Sequence, residues 1–532
     1  MAPRAVVPCY IVLGNLYEAL QMTNRVHSGF EPAGAPRRIL ALALVLTGLL
    51  ASLACTGAPP PSNTIAPTIA PAIKSASPSS VTPTPATSPT VAPPATTESK
   101  SEITEIPSET GTKGPATRIP EPTVQPATVS PAASATKTPS QPNTTDPRLT
   151  RAVQAISEAL SKTRGLTFLE PVAPELITRP ALIDYLAATI DEEDQEELAG
   201  TQELYWILGL LDPSIELYPL FLDLLGEQVL GLFNLETDEL LVVADSLPLD
   251  GSGKITMAHE LVHALQQQRF DAHRLVEESE SNQDRELAMT ALLEGDAQLS
   301  STMYAAAHLS LSEILELLPN AEESSVQVFQ STPEVIQKTL LFPYQAGADF
   351  VSSAQQSPGI WRQVNQLYSR PPVSTEQILH PAKYAAGEDP IPVSLPTGAS
   401  LIEEDWELVM EDVFGEFLLR TYLETGLPRP QSIRAASGWG GDRFRLLKDD
   451  SGRRLLVAVF LWDTSIDAGE FFESYRDFTD VEQQWESHAE DGNLMTWHAP
   501  GRSVLLELDG ESTLIGIAPD PETLALIAKD FP

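Results

Sequence analysis

The chain has 532 residues, of which 42% are hydrophobic, so it is long enough for two folded domains and can bury a core. Aspartate and glutamate number 73 against 33 lysines and arginines, which gives a formal net charge of -40 at neutral pH. Binding to a phosphate backbone needs clustered lysine and arginine. The composition therefore argues against nucleic acid as a partner, and we expect most acidic side chains on the solvated surface.

The N-terminal region carries features of an export signal. Two arginines precede an apolar run from Ile39 to Ala54, which is short for a membrane span but suits the core of a secretory signal. The run ends in Ser-Leu-Ala-Cys at 52–55, which resembles the bacterial lipobox, although Ser52 stands where an aliphatic residue is usual. The resemblance implies cleavage before Cys55 and lipidation of its thiol, which would anchor the mature chain outside the cytoplasmic membrane.

The cysteine count agrees with this interpretation. The chain has 2 cysteines, and Cys9 would be discarded with the signal. One remaining cysteine cannot form an intramolecular disulfide, so lipid attachment explains Cys55 better than a core thiol does.

Composition divides the rest of the chain. From 56 to 146 it is rich in proline, threonine, serine and alanine and has no aromatic residue, so it cannot bury a core. We predict a signal and lipobox region at 1–55, a disordered stalk-like linker at 56–146, a helix-rich domain at 147–430 and a small α+β module at 431–532.

The run His-Glu-Leu-Val-His at 259–263 is the most specific motif of the chain. Side chains four residues apart lie on one face of an α-helix, so His259 and His263 can offer imidazole nitrogens to one cation about 2 Å away. Glu260 lies about 100° further around the helix, close enough to act on water at that cation. The alternative is an amphipathic helix with two exposed histidines.

Two histidines leave a tetrahedral zinc ion one protein ligand short, and Glu294 is the candidate for the third. It lies in a predicted helix from Arg285 to Ala307. Asp296 is about 200° further around that helix, so it cannot face the same ion and is expected to be structural or to orient a histidine. Gly295 either lets the helix of the motif approach closely or is a local weak point.

An HExxH motif followed by a glutamate on a second helix resembles the gluzincin branch of zinc peptidases, here over 229–299. The glycine and third histidine of the metzincin pattern do not follow His263. The resemblance implies a zincin-like catalytic domain of α+β class, with Zn²⁺ held by His259, His263 and Glu294. Glu260 would activate water to hydrolyse a peptide or protein substrate. The alternative is a catalytically silent surface lipoprotein that acts as a binding module.

Secondary structure around the motif follows from hydrophobic spacing. Strands are predicted at 229–234 and 239–245. In gluzincin-like folds a sheet precedes the HExxH helix and its edge strand can hold an extended substrate; otherwise the two strands are a structural hairpin. The glycine-containing segment 251–253 is predicted to be a loop. Helical spacing predicts helices at 151–161, 179–198, 255–270 and 404–424.

Peptide hydrolysis also needs a donor that stabilises the oxyanion, which we expect from another loop. His380 and Tyr384, in a predicted loop at 375–384 that is closed by a proline, are the first candidates, and Tyr344 is a third. His380 could instead cap a helix or bond a backbone carbonyl.

The C-terminal module has no evident catalytic cluster. We predict a strand at 453–462, a helix at 467–478, a hairpin at 504–517 and a final helix from Pro521. The glycine-rich run at 438–443 lacks the spacing of a phosphate-binding loop and is predicted to be a structural loop.

Overall fold

The computed structural model of this protein describes residues 146–531, except 245–246, 318–328, 330, 356, 358, 399–400, 402–404 and 483–484. The predicted signal region with Cys55, and the predicted linker up to residue 145, lie outside the described residues. Within the described part the fold is α+β, as predicted, with helices and two sheets. No helix of this part is long and apolar enough to cross a membrane.

Helices dominate the first part of the described chain. In chain order they are α1 (Pro147–Arg164), α2 (Arg179–Thr189), α3 (Glu192–Ile207), α4 (Leu217–Gln228), α5 (Gly251–Phe270), α6 (Ala272–Glu277), α7 (Gln283–His308), α8 (Leu311–Glu316), α9 (Glu334–Ala354), α10 (Arg362–Leu367), α11 (Thr375–Leu379) and α12 (Pro381–Ala386). The helix predicted at 179–198 is divided into α2 and α3, because Ile190 is extended and Asp191 starts a new helix with a capping box.

A small sheet precedes the helix that carries the motif. Its strands are β1 (Pro174–Ile177), β2 (Gly231–Asn234) and β3 (Glu239–Val243), in the order β1-β3-β2. β1 runs parallel to β3, and β2 runs antiparallel to it. The two predicted strands are therefore confirmed as β2 and β3, and β2 is an edge strand of the sheet.

Helix α5 carries the HExxH motif and begins at Gly251, so the prediction of a loop at 251–253 is wrong. The Asp250 side chain accepts a hydrogen bond of 2.8 Å from the Gly253 amide, which caps the first turn. Residues 256–266 are buried on every side of the helix. The two histidines are thus interior, which contradicts the alternative of an amphipathic helix that exposes them.

The C-terminal part is built around a larger sheet. Its elements are β4 (Glu407–Asp412), α13 (Gly415–Leu423), α14 (Arg429–Ala436), β5 (Trp439–Lys448), β6 (Arg454–Trp462), α15 (Ser465–Glu482), β7 (Ser487–Asp491), β8 (Leu494–Ala499), β9 (Arg502–Asp509), β10 (Ser512–Ala518) and α16 (Pro521–Asp530). The strands lie in the order β4-β5-β6-β10-β9-β8-β7. The strand, helix, hairpin and final helix predicted for the module are confirmed.

Two predictions for this part are wrong. Residues 404–424 do not form one helix, because β4 pairs with β5 and backbone pairing overrides the helical spacing there. The run at 438–443 is not a loop, since β5 starts at Trp439. A Cβ at Gly441 would lie 2.2 Å from the carbonyl oxygen of Ile391, so this glycine permits two backbones to approach closely.

The helix-rich part and the large sheet share buried apolar side chains. One apolar cluster extends from Leu182 in α2 to Ile517 in β10. A second surrounds α5 and α7 and includes Leu261 and Leu292. Residue 430, where the sequence predicts a domain boundary, lies within α14, and elements on both sides of it pack against a common core.

Candidate metal centre

Helices α5 and α7 bring His259, His263 and Glu294 together, and we call these three residues the HHE cluster. Oε2 of Glu294 lies 2.9 Å from Nε2 of His259 and 3.6 Å from Nε2 of His263. Each residue is buried, with at most 1% of its surface exposed. The cluster therefore lies where solvent screens charge poorly.

The HHE cluster has the dimensions of a tetrahedral metal site. Ligand bonds of about 2 Å place neighbouring donor atoms about 3.3 Å apart around zinc, which falls between the two distances above. Among the described residues, Nε2 of His263 and Oε1 of Glu294 are buried and have no hydrogen-bond partner. Because unsatisfied buried polar atoms are costly, a divalent cation that binds both atoms fits the site.

Electrostatic attraction links the three side chains to one another. Burial lowers the pKa of His263, but the charge and hydrogen bonding of Glu294, with smaller effects of Glu260 and Gln266, together outweigh burial and raise it to about 9. Burial raises the pKa of Glu294, but the two imidazoles outweigh this effect and hold it below its usual value. Both pKa shifts favour a negatively charged Glu294 beside a positively charged His263. Metal binding must therefore displace a proton from His263.

Glu260 is fully buried beside the cluster and is held by the small sheet. Its Oε2 accepts a hydrogen bond of 2.9 Å from the backbone amide of Phe233 in β2. Its charge is close enough to help raise the pKa values of His263 and Tyr344. The edge strand thus positions the carboxylate that the sequence assigns to water activation.

A close crossing of α7 and α9 forms another wall of the site. A Cβ on Gly295 would lie 2.2 Å from the carbonyl carbon and oxygen of Gly347, and one on Gly347 would lie 2.0 Å from the carbonyl oxygen of Ala291. Gly295 therefore does permit a close approach of another helix. Its neighbour, however, is α9 and not the HExxH helix.

This crossing places Tyr344, one turn before Gly347, against the cluster. Its ring lies 6.0 Å from the His259 ring in a stacked arrangement, and the residue is 5% exposed. Burial, and then the charges of Glu294 and Glu260, raise the pKa of Tyr344 well above its ordinary value. The hydroxyl therefore keeps its proton at neutral pH and remains a hydrogen-bond donor.

The other two candidate donors contact different groups, and the prediction of a loop at 375–384 is wrong, because α11 and α12 form most of that segment. Nε2 of His380 lies 3.7 Å from Oε1 of Glu416, and its backbone links α11 to α12 without a side-chain cap. The Tyr384 hydroxyl donates a hydrogen bond of 2.7 Å to the carbonyl of Arg370, whose guanidinium lies over the Tyr384 ring. The structure thus brings Tyr344 to the cluster, whereas these contacts hold His380 and Tyr384 against other partners.

Asp296 anchors α7 and does not contact the histidines directly. Arg164 at the end of α1 donates two hydrogen bonds to its carboxylate, of 2.7 and 2.8 Å. The hydroxyl groups of Tyr368 and Ser300 donate to the same carboxylate. This buried network secures the helix that supplies Glu294, which agrees with the structural role expected for Asp296.

A second group of carboxylates has metal-like spacing, and we call it the acidic triad: Glu376, Glu388 and Asp463. The Lys383 ammonium lies 2.6 Å from both Glu376 and Glu388, and it also bonds Asp463. Burial raises the pKa of Glu376 to about 7 although Lys383 opposes the shift. The lysine therefore already supplies the cation of this group.

A cavity of about 140 Å³ lies one helical turn from the HHE cluster. Thr290 of α7 and Leu340 of α9 line it, and they precede Glu294 and Tyr344 by one turn on the same helical faces. Apolar side chains from α3, α4 and residues 413–418 form about half of its other walls, and acidic side chains such as Glu197, Asp284 and Glu286 also line it.

Comparisons with known proteins bear on the C-terminal part alone. No curated protein matches the chain, and no solved structure does. A family profile described as a domain of unknown function (DUF8575) matches residues 406–528. That segment begins just before β4 and ends within α16, so it includes the seven-stranded sheet and excludes the HHE cluster. The part of the chain that carries the large sheet is thus similar to the domain of unknown function DUF8575.

Proposed function

We propose that this protein is a zinc-dependent peptidase of gluzincin-like type. The observation that carries the proposal is the buried meeting of His259, His263 and Glu294, with Glu260 beside them. A helix pair that supplies two histidines and a glutamate, preceded by a small sheet, also supports a zincin-like fold. A structural zinc site would normally close with a fourth protein ligand, usually cysteine.

The cluster would hold zinc through the imidazoles of His259 and His263 and the carboxylate of Glu294. Bound zinc supplies Lewis acidity, which polarises a scissile carbonyl and makes water a stronger nucleophile near neutral pH. With these three protein ligands, the metal would remain accessible to water or substrate.

Glu260 is the proposed general base. Its buried carboxylate, fixed by the Phe233 amide, takes a proton from the attacking water and returns it to the leaving amine. A fixed carboxylate needs little reorganisation at the moment of reaction.

Tyr344 is the best placed donor to the developing negative charge of the carbonyl oxygen. Its hydroxyl stays protonated, and its ring is fixed against His259. His380 and Tyr384 remain predictions, which activity measurements on their variants can test.

We propose that the protein acts outside the cytoplasmic membrane of a bacterium, where a lipid attached to Cys55 anchors it. The signal-like segment and the lipobox resemblance support it. Mass spectrometry of the mature N-terminus tests this part, because an unmodified chain that begins before Cys55 would contradict the anchor.

The decisive experiment measures metal content and peptide cleavage together. Wild-type chain and Glu260→Gln are compared on a mixed peptide library, with and without a chelator. We expect both proteins to contain zinc. The wild type should cleave peptides only when no chelator is present, and Glu260→Gln should cleave them at least about 100-fold more slowly. Equal cleavage by both proteins would reject the mechanism. Zinc without cleavage would support the alternative of a silent binding lipoprotein.

A further inference from the structure

We propose that Gln266 is a positioning residue of the metal centre, which fixes His263 with Nδ1 protonated and Nε2 directed at the metal. Oε1 of Gln266 lies 2.8 Å from Nδ1 of His263. Nε2 of Gln266 donates a hydrogen bond of 2.8 Å to the carbonyl of Leu293. This inference rests on the proposed metal site and goes beyond its ligands.

The hydrogen bond from Gln266 to Leu293 determines which way round the Gln266 amide faces His263. A side-chain amide has one acceptor oxygen and one donor nitrogen. Because the nitrogen faces the carbonyl of Leu293, the oxygen must face His263, and a rotation of the amide would set its oxygen against the Leu293 carbonyl oxygen and lose that bond. An oxygen facing Nδ1 requires that Nδ1 carry the proton. The lone pair of a neutral His263 then lies on Nε2, the atom that faces Glu294.

Gln266 also connects the two helices that supply the ligands. It lies one turn after His263 in α5, and its partner Leu293 directly precedes Glu294 in α7. Gln266 is 1% exposed, so water competes little for either bond. One side chain therefore orients a histidine ligand and fixes the backbone beside the glutamate ligand.

The same helix offers a matched control in Gln268. Its Oε1 accepts a hydrogen bond of 2.7 Å from the Leu169 amide, and its Nε2 donates one of 3.1 Å to the Glu170 carbonyl. Like Gln266, this glutamine of α5 accepts through Oε1 and donates through Nε2, but here both hydrogen bonds are to the backbone. They lie at the surface and do not involve a histidine of the HHE cluster.

The test measures the zinc dissociation constant of the full chain by competition with a chelator, for Gln266→Met, Gln266→Glu and Gln268→Met. Methionine has a similar volume but lacks the oxygen that accepts the hydrogen bond from Nδ1 of His263. We therefore expect zinc binding to weaken roughly 10–100-fold. Glutamate still accepts from Nδ1 but cannot donate to Leu293, so we expect affinity near that of wild type. Gln268→Met should bind like wild type.

Nitrogen NMR of the histidine rings in the zinc-loaded wild type gives a second readout that needs no variant. We expect Nδ1 of His263 to carry the proton and Nε2 to be the ligand. Zinc bound through Nδ1, or equal affinity in folded Gln266→Met and wild type, would overturn the positioning role while leaving the metal site intact. Equal losses in Gln266→Met and Gln266→Glu would show that only the link to Leu293 matters, which also overturns it. No zinc in the wild type would instead reject the proposed function itself.

Discussion

Two groups of side chains among the described residues have the spacing of metal ligands, and they differ in how the chain balances their charge. In the acidic triad, Lys383 places an ammonium among the three carboxylates. In the HHE cluster, no lysine or arginine within the described residues pairs with Glu294, and Nε2 of His263 has no hydrogen-bond partner. Metal-like spacing is thus a weak signal alone. A buried set of donors that no lysine or arginine neutralises, and in which a histidine of the set itself carries the balancing charge, is a stronger one.

The largest expected effect comes from removing one ligand from each group. His263→Ala should reduce zinc from one ion per chain to none, because two remaining ligands do not hold the metal. Glu388→Gln removes a carboxylate from the acidic triad and should leave metal content unchanged. Elemental analysis of the purified proteins measures both. If zinc is retained in His263→Ala, the metal lies elsewhere in the protein.

Proton displacement gives the next effect, of about 100-fold across the interval concerned. In the folded chain the pKa of His263 is about 9, above its ordinary value of 6.5. The ion pair of His263 with Glu294 therefore contributes its full stabilisation to the metal-free protein below pH 6.5. That contribution is lost as the pH rises to about 9. Zinc affinity should move the other way and tighten about ten-fold per pH unit in this window. Chelator competition at a series of pH values checks the slope, and a flat profile would contradict an imidazolium partner for Glu294.

The crossing of α7 and α9 predicts a smaller effect. Gly295→Ala forces a methyl group into the Gly347 backbone, so we expect the free energy of unfolding to fall by about 2 kcal/mol and zinc binding to weaken. Gly469→Ala in α15 is the control, because no described atom beyond the adjoining helix backbone lies within 4 Å of the position that its methyl group would take. Alanine also favours helices over glycine by about 1 kcal/mol. Urea unfolding distinguishes the two, and equal stability of the two variants would mean that the crossing can relax.

The smallest effect concerns the acidic triad. Lys383→Met leaves Glu376 close to two uncompensated carboxylates, and we expect a loss of about 1 kcal/mol in the free energy of unfolding. Calcium prefers carboxylate oxygens and should restore part of this loss, while the wild type should not respond. Thermal unfolding with calcium or with a chelator measures this. A variant that is insensitive to calcium would show that the lysine does more than supply a charge.

The sequence alone determined the features that depend on short spacing. Helical periodicity places His259, Glu260 and His263 together, and alternation with turn residues locates β2 and β3. The later helix with Glu294 and the C-terminal hairpin were predictable for the same reason. In these cases the residues that decide the structure are near neighbours in the chain.

Tertiary packing decided the rest, because contacts between distant segments leave no local period. Pairing with β5 turned a helical pattern into β4, and the crossing at Gly347 brought Tyr344 to the site in place of the candidates at 380 and 384. A glutamine one turn after His263 was a signal that could have suggested Gln266. Glycines on both helices could have favoured Tyr344, the third candidate, over the first two. Which partner each residue meets depends on how helices far apart in the chain pack. Local spacing in the sequence does not contain that information.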